Sequence, residues 1–369
     1  KVKINDLLEI NLRDLLGREP VKPNLKLLSL SISKKVVLVT GAGGSIGAEL
    51  CRQIVRQKPK KLILFDISES SLYLIEQELV GLSIPGIEVF AVIGSVADKK
   101  RMSSIFKAYG VQTVYHAAAY KHVTLVESNA SQGVLNNALG TTVAAQAAAS
   151  SNVETFVLIS TDKAVRPTSV MGASKRVAEL ALQALNQEHP GTRFTMVRFG
   201  NVLDSSGSVI PLFKKQIKAG GPVTVTHIDV VRYFMTIPEA VELVIQAGAM
   251  AEGGEVFVLD MGEPIRIYDL AIKMIRLSGL VVRDKDNAEG DIEIQYTGLK
   301  PGEKLYEELL VDGSFATTEN QLIMRAEEEM INWDKLEPIL DQIKEAAIDS
   351  ETDKMFELIK QLVPQFDHS

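Results

Sequence analysis

The sequence predicts an α/β protein built on a doubly wound parallel sheet. Short apolar runs rich in Val, Ile and Phe recur through residues 35–199, and stretches with helical spacing separate them. A glycine-rich turn joins the first run to the first helix. Strands alternating with helices, and buried on both faces, are the pattern of a parallel sheet covered by helices on each side.

The runs are KVVLVT (35–40), KLILF (61–65), IEVFAVI (87–93), VQTVYH (111–116), ETFVLIS (154–160) and RFTMVRF (193–199). Helical spacing occupies 45–57, 69–80, 98–108, 131–149 and 171–188, and EVFVLD (255–260) adds a strand reached through a helix at 238–250. An N-terminal segment, 1–33, reads as a short amphipathic helix (Ile4, Leu7, Leu8, Leu12, Leu15, Leu16) followed by Gly17 and a linker holding Pro20 and Pro23. The nucleotide-binding domain then spans 34–203, with 236–260 returning to it. A smaller interleaved lobe takes 204–235 and 261–330, with β-like pieces at 223–227 and 292–296 and helices at 264–279 and 303–310. Residues 331–369 form a tail of two polar amphipathic helices.

Composition narrows the function classes. The chain has 369 residues, 46% hydrophobic and 24% charged, which excludes disorder and collagen-like repeats. A single cysteine, Cys51, cannot close an intrachain disulfide or build a thiolate metal cluster. Five scattered histidines show no ligand spacing on one helix, so no metal site is expected. The net charge of −7 disfavours nucleic acid as a partner, and an anionic substrate then needs a local cationic site. No apolar run approaches the roughly 20 residues that span a bilayer.

The glycine turn is Gly41-Ala42-Gly43-Gly44-Ser45-Ile46-Gly47, directly after the first strand. Gly41 lets the chain turn, Gly44 lets backbone approach a pyrophosphate, and Gly47 lets helix and strand pack closely. The N-terminus of the helix faces the anion. Asp66 ends the second strand 19 residues after Gly47, where a carboxylate bonds ribose hydroxyls and repels a 2′-phosphate. This is a Rossmann-type dinucleotide site that favours NAD over NADP; a helix N-cap is the competing role for Asp66. A P-loop is excluded, because no Gly-Lys-Ser/Thr follows.

Further chemistry gathers where strands end: HAAAYKHV (116–123), Ser160-Thr161-Asp162-Lys163, and Met171-Gly-Ala-Ser-Lys175 opening the next helix. Together with Asn137-x-x-Gly140-Thr141, VRFGNVLDSSGSVIPLF (197–213), RYFMTIPEA (232–240) and KPGEKLYEELL (300–310), these motifs resemble the extended short-chain dehydrogenase/reductase superfamily. Within it they look like the long, membrane-anchored UDP-N-acetylglucosamine 4,6-dehydratases of bacterial polysaccharide and glycan biosynthesis. The resemblance covers residues 11–325.

One position departs from most of that superfamily. Met171 stands where a tyrosine usually takes the proton of the hydroxyl being oxidised, and a thioether has no acidic proton. Lys175 remains, able to hold the nicotinamide ribose and supply positive charge. The resemblance extends to Met at this position in other long dehydratases, and implies retention of configuration at C5. In 4,6-dehydration a ketone at C4 acidifies the C5 proton, a base removes that proton, and an acid protonates the departing C6 hydroxyl. The resemblance implies Asp162 as acid, Lys163 as base and Thr161 as the partner of the C4 oxygen. A lysine base must be partly neutral, through burial or cationic neighbours such as Lys175 and Lys121.

The resemblance also implies Ser95, Val96, Ala117, Ala118 and Asn137 along the cofactor. For the UDP-sugar it implies Lys121, His122, Asn201, Ser205, Ser206, Ser208, Val209, Arg232, Glu303 and Tyr306, with Arg232 the best diphosphate fork. His116 reads as structural. Asp204 and Lys300 depart from the usual Gly and Arg, and Asp204 must point away from a diphosphate. A membrane segment preceding Lys1 in the parent chain, the cytoplasmic face of the inner membrane and a homo-oligomer are further expectations. A 4-epimerase or reductase, or a non-catalytic dinucleotide-binding regulator, are the alternatives.

Overall fold

Runs of β-branched residues free of Pro and Gly form the centre of the molecule. In a computed structural model, which describes residues 23–82, 84–285, 287–308 and 315–368, they are β1 (Val36–Thr40), β2 (Lys61–Asp66), β3 (Glu88–Ile93), β4 (Thr113–His116), β5 (Thr155–Ile159), β6 (Arg193–Arg198) and β7 (Val256–Leu259). All pair in parallel, in the order β3-β2-β1-β4-β5-β6-β7. The central strands β1 and β4 are buried at every residue, whereas β3, at the edge, is mostly half-buried. The order reverses at β1, so the crevice at a topological switch point opens at the carboxyl ends of β1 and β4.

Helices Ser45–Arg56, Glu69–Gly81, Lys99–Tyr109, Thr141–Ala149 and Val170–Glu188 make the crossovers. Their starts follow from capping chemistry. Asp98 accepts from the Arg101 amide, Ser68 from that of Ser71, and Ser169 from that of Gly172. The helix Val170–Glu188 is buried from Val170 through Leu185. The two C-terminal helices, Trp333–Ile348 and Thr352–Leu362, explain this. Their Leu336, Leu340, Ile343, Met355 and Ile359 share one core with Val170, Met171, Val177 and Leu180. Each such buried side chain contributes roughly 1.5–3 kcal/mol.

Three sequence expectations need correction. Phe315–Thr317 (β8) and Ile323–Ala326 (β9), placed by sequence in the smaller lobe, extend the large sheet instead. β9 runs antiparallel to β7, and β8 antiparallel to β9. They cover an edge that β7 would otherwise leave open. No helix forms at 303–308, and 309–310 lie outside the described residues. There Leu305 accepts from the Val231 amide and Glu303 from Arg232, sideways ties that replace helical hydrogen bonds. Residues 25–30 of the expected linker are a short helix, with Asn24 accepting from the amides of Lys26 and Leu27. The expected helix at 4–16 lies outside the described residues.

Residues 200–239 and 261–307 gather into a second, smaller compact unit. Its core joins helices Val209–Lys218 and Ile267–Leu277 to a three-stranded parallel sheet of Val223–Val225, Ile292–Tyr296 and Val282–Arg283. Among the described residues, no helix is long and apolar enough to cross a membrane.

Candidate active site

The glycine turn is built by close backbone approach. Gly41 has φ +63°, and a Cβ there would lie 2.7 Å from the Ala118 nitrogen. A Cβ on Gly47 would lie 1.9 Å from the Gly41 oxygen, so only glycine lets this helix begin where it does. A Cβ on Gly43 would meet Ser71, whereas on Gly44 it would meet only the Gly41 oxygen, at 3.3 Å. Gly44 is thus the position with room for an approaching group, and Ser45 and Ile46 open the helix beside it.

Asp66 follows at the end of β2. One carboxylate oxygen accepts from the Gly43 amide and the other from Ser68, both at 2.8 Å. Ser68 is the helix cap, so Asp66 has a different task. Each of its oxygens retains a lone pair for a hydroxyl donor. Ser95 and Val96 follow β3; Val96 is buried where a Gly140 side chain would meet it. These residues fit a dinucleotide. Cys51, nearby, is buried with its thiol pushed far up by desolvation, and has no nucleophilic character.

The β4 end is braced by neutral groups. His116 is fully buried between Thr40 Oγ1 and Thr141 Oγ1, each 2.9 Å from a ring nitrogen. Burial, and then the charge of Lys175, pushes its pKa down to about 3, so it stays neutral. Ala117 and Ala118 donate to the Thr40 carbonyl and hydroxyl, which holds them over Gly41. Asn137 sits in a π-helical turn, Leu135–Gly140. Its side chain accepts from the Tyr120 amide (2.8 Å) and donates to the Tyr120 carbonyl (2.9 Å) and Ser174 Oγ (3.2 Å). The Asn137 amide thus braces the 117–122 loop. Lys121 and His122 lie exposed on that loop. Desolvation by the surrounding protein holds both below their ordinary values, with the charge of Lys121 adding to the effect on His122.

The turn after β5 brings the acid–base candidates together. Asp162 is 1% exposed; its Oδ1 accepts from Thr161 Oγ1 at 2.8 Å and from Lys163 Nζ at 3.0 Å. Its Oδ2 is buried with no hydrogen-bond partner among the described residues. A buried carboxylate oxygen left without a partner is costly unless function uses it. Gly172 permits the next helix to press on this turn, since a Cβ there would lie 2.1 Å from the Lys163 oxygen. Met171, buried, joins the hydrophobic cluster of the C-terminal helices. Lys175 Nζ donates to the Ile159 carbonyl at 2.6 Å, and burial pushes its pKa down to about 8.

Sequence reasoning missed the charges beneath this turn. Glu179 accepts from Ser160 Oγ at 2.6 Å and takes Arg198 in a fork, at 2.8 and 2.6 Å. Arg198 also bonds Glu328, and Arg176 reaches both Glu179 and Glu328. The available signal was Arg198, a charged residue next to last in the apolar run RFTMVRF.

In the smaller unit, Arg232 is 8% exposed and already engaged. It donates to the carbonyls of Val231 (2.7 Å) and Leu305 (3.2 Å) and to Glu303 (3.2 Å), with Glu307 at 3.8 Å. Two expected substrate residues, Arg232 and Glu303, are therefore an ion pair here, and a diphosphate has to compete with Glu303. Asn201 starts a short strand paired with Phe234–Met235. Ser205 and Ser206 lead into a turn in which Ser208 donates its amide to the Ser205 carbonyl, and the buried Ser208 hydroxyl has no partner among the described residues. Val209 begins the helix after it, and Tyr306 is exposed. Asp204 has φ +60°, a conformation that favours glycine and that Asp tolerates. Its carboxylate pairs with Lys214 at 3.0 Å. Among the described residues no cluster of His, Cys, Asp and Glu is arranged to hold a metal ion.

Comparison with known proteins follows the same lines. A family profile described as "Polysaccharide biosynthesis protein" matches residues 37–328. The Staphylococcus aureus protein called capsular polysaccharide biosynthesis protein CapD is 53% identical over 310 residues, 84% of this chain and 51% of its own length. The chain thus spans about half the length of that relative. The Campylobacter jejuni UDP-N-acetylglucosamine 4,6-dehydratase (inverting) is 32% identical over 282 residues, 74% of this chain and 77% of its own. Among solved structures, Pen from Bacillus thuringiensis superposes with a TM-score of 0.68 at 36% identity, covering 76% of this chain and 84% of its own.

Proposed function

The chain belongs to the polysaccharide biosynthesis protein family, within the extended short-chain dehydrogenase/reductase superfamily, and from that premise we propose that it is an NAD-dependent UDP-N-acetylglucosamine 4,6-dehydratase. The observation that carries this reading is the Asp162–Lys163 pair, whose buried carboxylate keeps one oxygen without a partner among the described residues, beside a helix whose Met171 cannot serve as a base.

The turn from Gly41 to Gly47, Asp66 and Lys175 would hold NAD, and its chemistry when bound is to take hydride from C4 of the sugar and return it at C6. The chain supplies the proton transfers. Lys163 takes the C5 proton once C4 is a ketone. Asp162 gives its proton to the departing C6 hydroxyl from Oδ2, the oxygen without a partner among the described residues. The C4 hydroxyl proton, released as hydride leaves C4, passes through Thr161 to Asp162 along the bond between them, and this is the proton that leaves with the C6 hydroxyl as water. Adjacent groups on one turn place acid and base on neighbouring carbons, and a positioned group of this kind contributes about 10²–10⁴-fold in rate. A single amine that removes and returns the proton on one face gives retention at C5. In the smaller unit, Arg232 exchanges Glu303 for the diphosphate. The reading includes a homo-oligomer at the cytoplasmic face of the inner membrane, to be checked by sedimentation and cell fractionation.

The test mixes pure protein with UDP-N-acetylglucosamine, without added NADH, and follows the alkali-induced absorbance of a 4-keto sugar. A keto sugar with unchanged C5 configuration by NMR is expected. UDP-N-acetylgalactosamine would mean an epimerase instead, and no product a binding protein.

A further inference from the structure

The buried ion network is larger than packing requires. Glu179 and Arg198 are fully buried and already satisfy each other through a two-bond fork. Arg176 and Glu328 add a second pair of nearly buried charges, so the four balance to zero. Ion pairs of this kind are weak contributors to stability against apolar packing of the same volume. What distinguishes this one is its connection to the turn above it.

We propose that Glu179 is a positioning residue for the Thr161–Asp162–Lys163 turn, acting through the hydroxyl of Ser160 and held in place by Arg198, Arg176 and Glu328. The proposal rests on the dehydratase reading for the step it serves. Ser160 immediately precedes the turn and donates its hydroxyl to Glu179 at 2.6 Å. Its amide donates to the Val197 carbonyl at 2.8 Å, and that of Asp162 donates to the Phe199 carbonyl at 3.1 Å. These carbonyls flank Arg198, whose side chain the carboxylates of Glu179 and Glu328 immobilise. The backbone of the turn thus hangs on both sides of one locked arginine, and its side-chain link runs to the same carboxylate.

Glu179 also lies one helical turn beyond Lys175, whose amine holds the Ile159 carbonyl just before Ser160. Residues 159, 160 and 162 are therefore each fixed by a partner that Glu179 anchors or neighbours. The negative charge of Glu179 helps Lys175 keep its proton against burial. Lys163 and Asp162 need this support, because a reacting group displaced by about 1 Å loses about 10²-fold in rate.

The test uses Ser160→Ala in the full chain, which cuts the link and leaves the four charges paired. Hydrogen exchange of the amides of Asp162 and Lys163 should accelerate at least fivefold. The kcat for keto-sugar formation should fall about tenfold while KM stays within twofold and the melting temperature within about 2 °C, as expected for lost positioning without lost binding. Ser160→Thr keeps the hydroxyl and should restore exchange and kcat together. Unchanged exchange at the turn in Ser160→Ala overturns the proposal, as does a threonine variant that melts like the wild type yet stays as slow as the alanine one. A wild type that forms no keto sugar would sink the dehydratase reading, and the exchange comparison would then decide the positioning role alone.

Discussion

Gly172→Ala sets two magnitudes against each other. Within the helix Val170–Glu188 the change replaces glycine by the best helix former, worth about 1 kcal/mol in favour of the variant. The new Cβ, however, would lie 2.1 Å from the Lys163 carbonyl oxygen and 3.2 Å from Pro167 Cβ. Ordinary contact requires the turn and helix to separate by about 1 Å, and overpacking of this kind costs typically 1–3 kcal/mol. Packing wins, and the strain falls on the residue proposed as base. We expect kcat to drop about 10²-fold. NAD should still bind, because the glycine turn is untouched, and the melting temperature should fall by up to about 3 °C. Keto-sugar formation, dinucleotide titration and thermal melting read the three effects. Gly81→Ala is the control: a Cβ there meets nothing within 4 Å, so activity should not change. A Gly172→Ala enzyme with wild-type kcat and a raised melting temperature would refute the reasoning, since helix propensity alone would then have decided the outcome.

Lys163→Ala should abolish dehydration and leave C5 unable to exchange with solvent deuterium, whereas Asp162→Asn should block loss of the C6 hydroxyl yet still exchange C5. Near-normal turnover in Lys163→Ala would place the base elsewhere. Lys175 links stability to pH, since burial pushes its pKa from the ordinary 10.5 down to about 8. The unfolded chain binds the extra proton between those values, so the destabilising cost of this buried charge is full below pH 8 and relieved as pH rises towards 10.5. Urea melts of wild type and Lys175→Met at pH 7.5 and 9.5 should show a larger gain in the wild type. Gly47→Ala, with its Cβ 1.9 Å from the Gly41 oxygen, should lose NAD binding by titration; retained binding would show that the helix can shift without loss of the site.

The parallel strands and glycine turn were legible because strands buried on both faces read as unbroken apolar runs, and because close approach admits only glycine. The Thr161–Asp162–Lys163 turn was legible for a related reason: it lies where an apolar run ends and a new helical pattern begins. What escaped was settled by distant partners. β8 and β9 are three and four residues long and carry little apolar pattern of their own; pairing of β9 with β7, and of β8 with β9, makes them strands. Glu179 and Arg198 are 19 residues apart, and Arg198 and Glu328 are 130 apart, spacings that no local period reveals. Arg232 read as an available fork because nothing near it in sequence shows Glu303 as its partner, 71 residues on. The helix expected at 303–310 followed the apolar spacing of KLYEELL, which lateral bonds to Val231 and Arg232 override at 303–308.

The smaller unit consists of two excursions of the chain, 200–239 and 261–307, each leaving the sheet unit and returning to it. Their chain ends fall after β6, inside the helix Ile237–Met250, after β7 and before β8, while the glycine turn, the Asp162–Lys163 pair and the ions beneath them are encoded elsewhere. Under the proposed function, Asn201, Ser205, Arg232 and Glu303 fall within these 87 residues, so substitutions there would alter diphosphate binding while Lys121, His122 and the Thr161–Asp162–Lys163 turn stay unchanged.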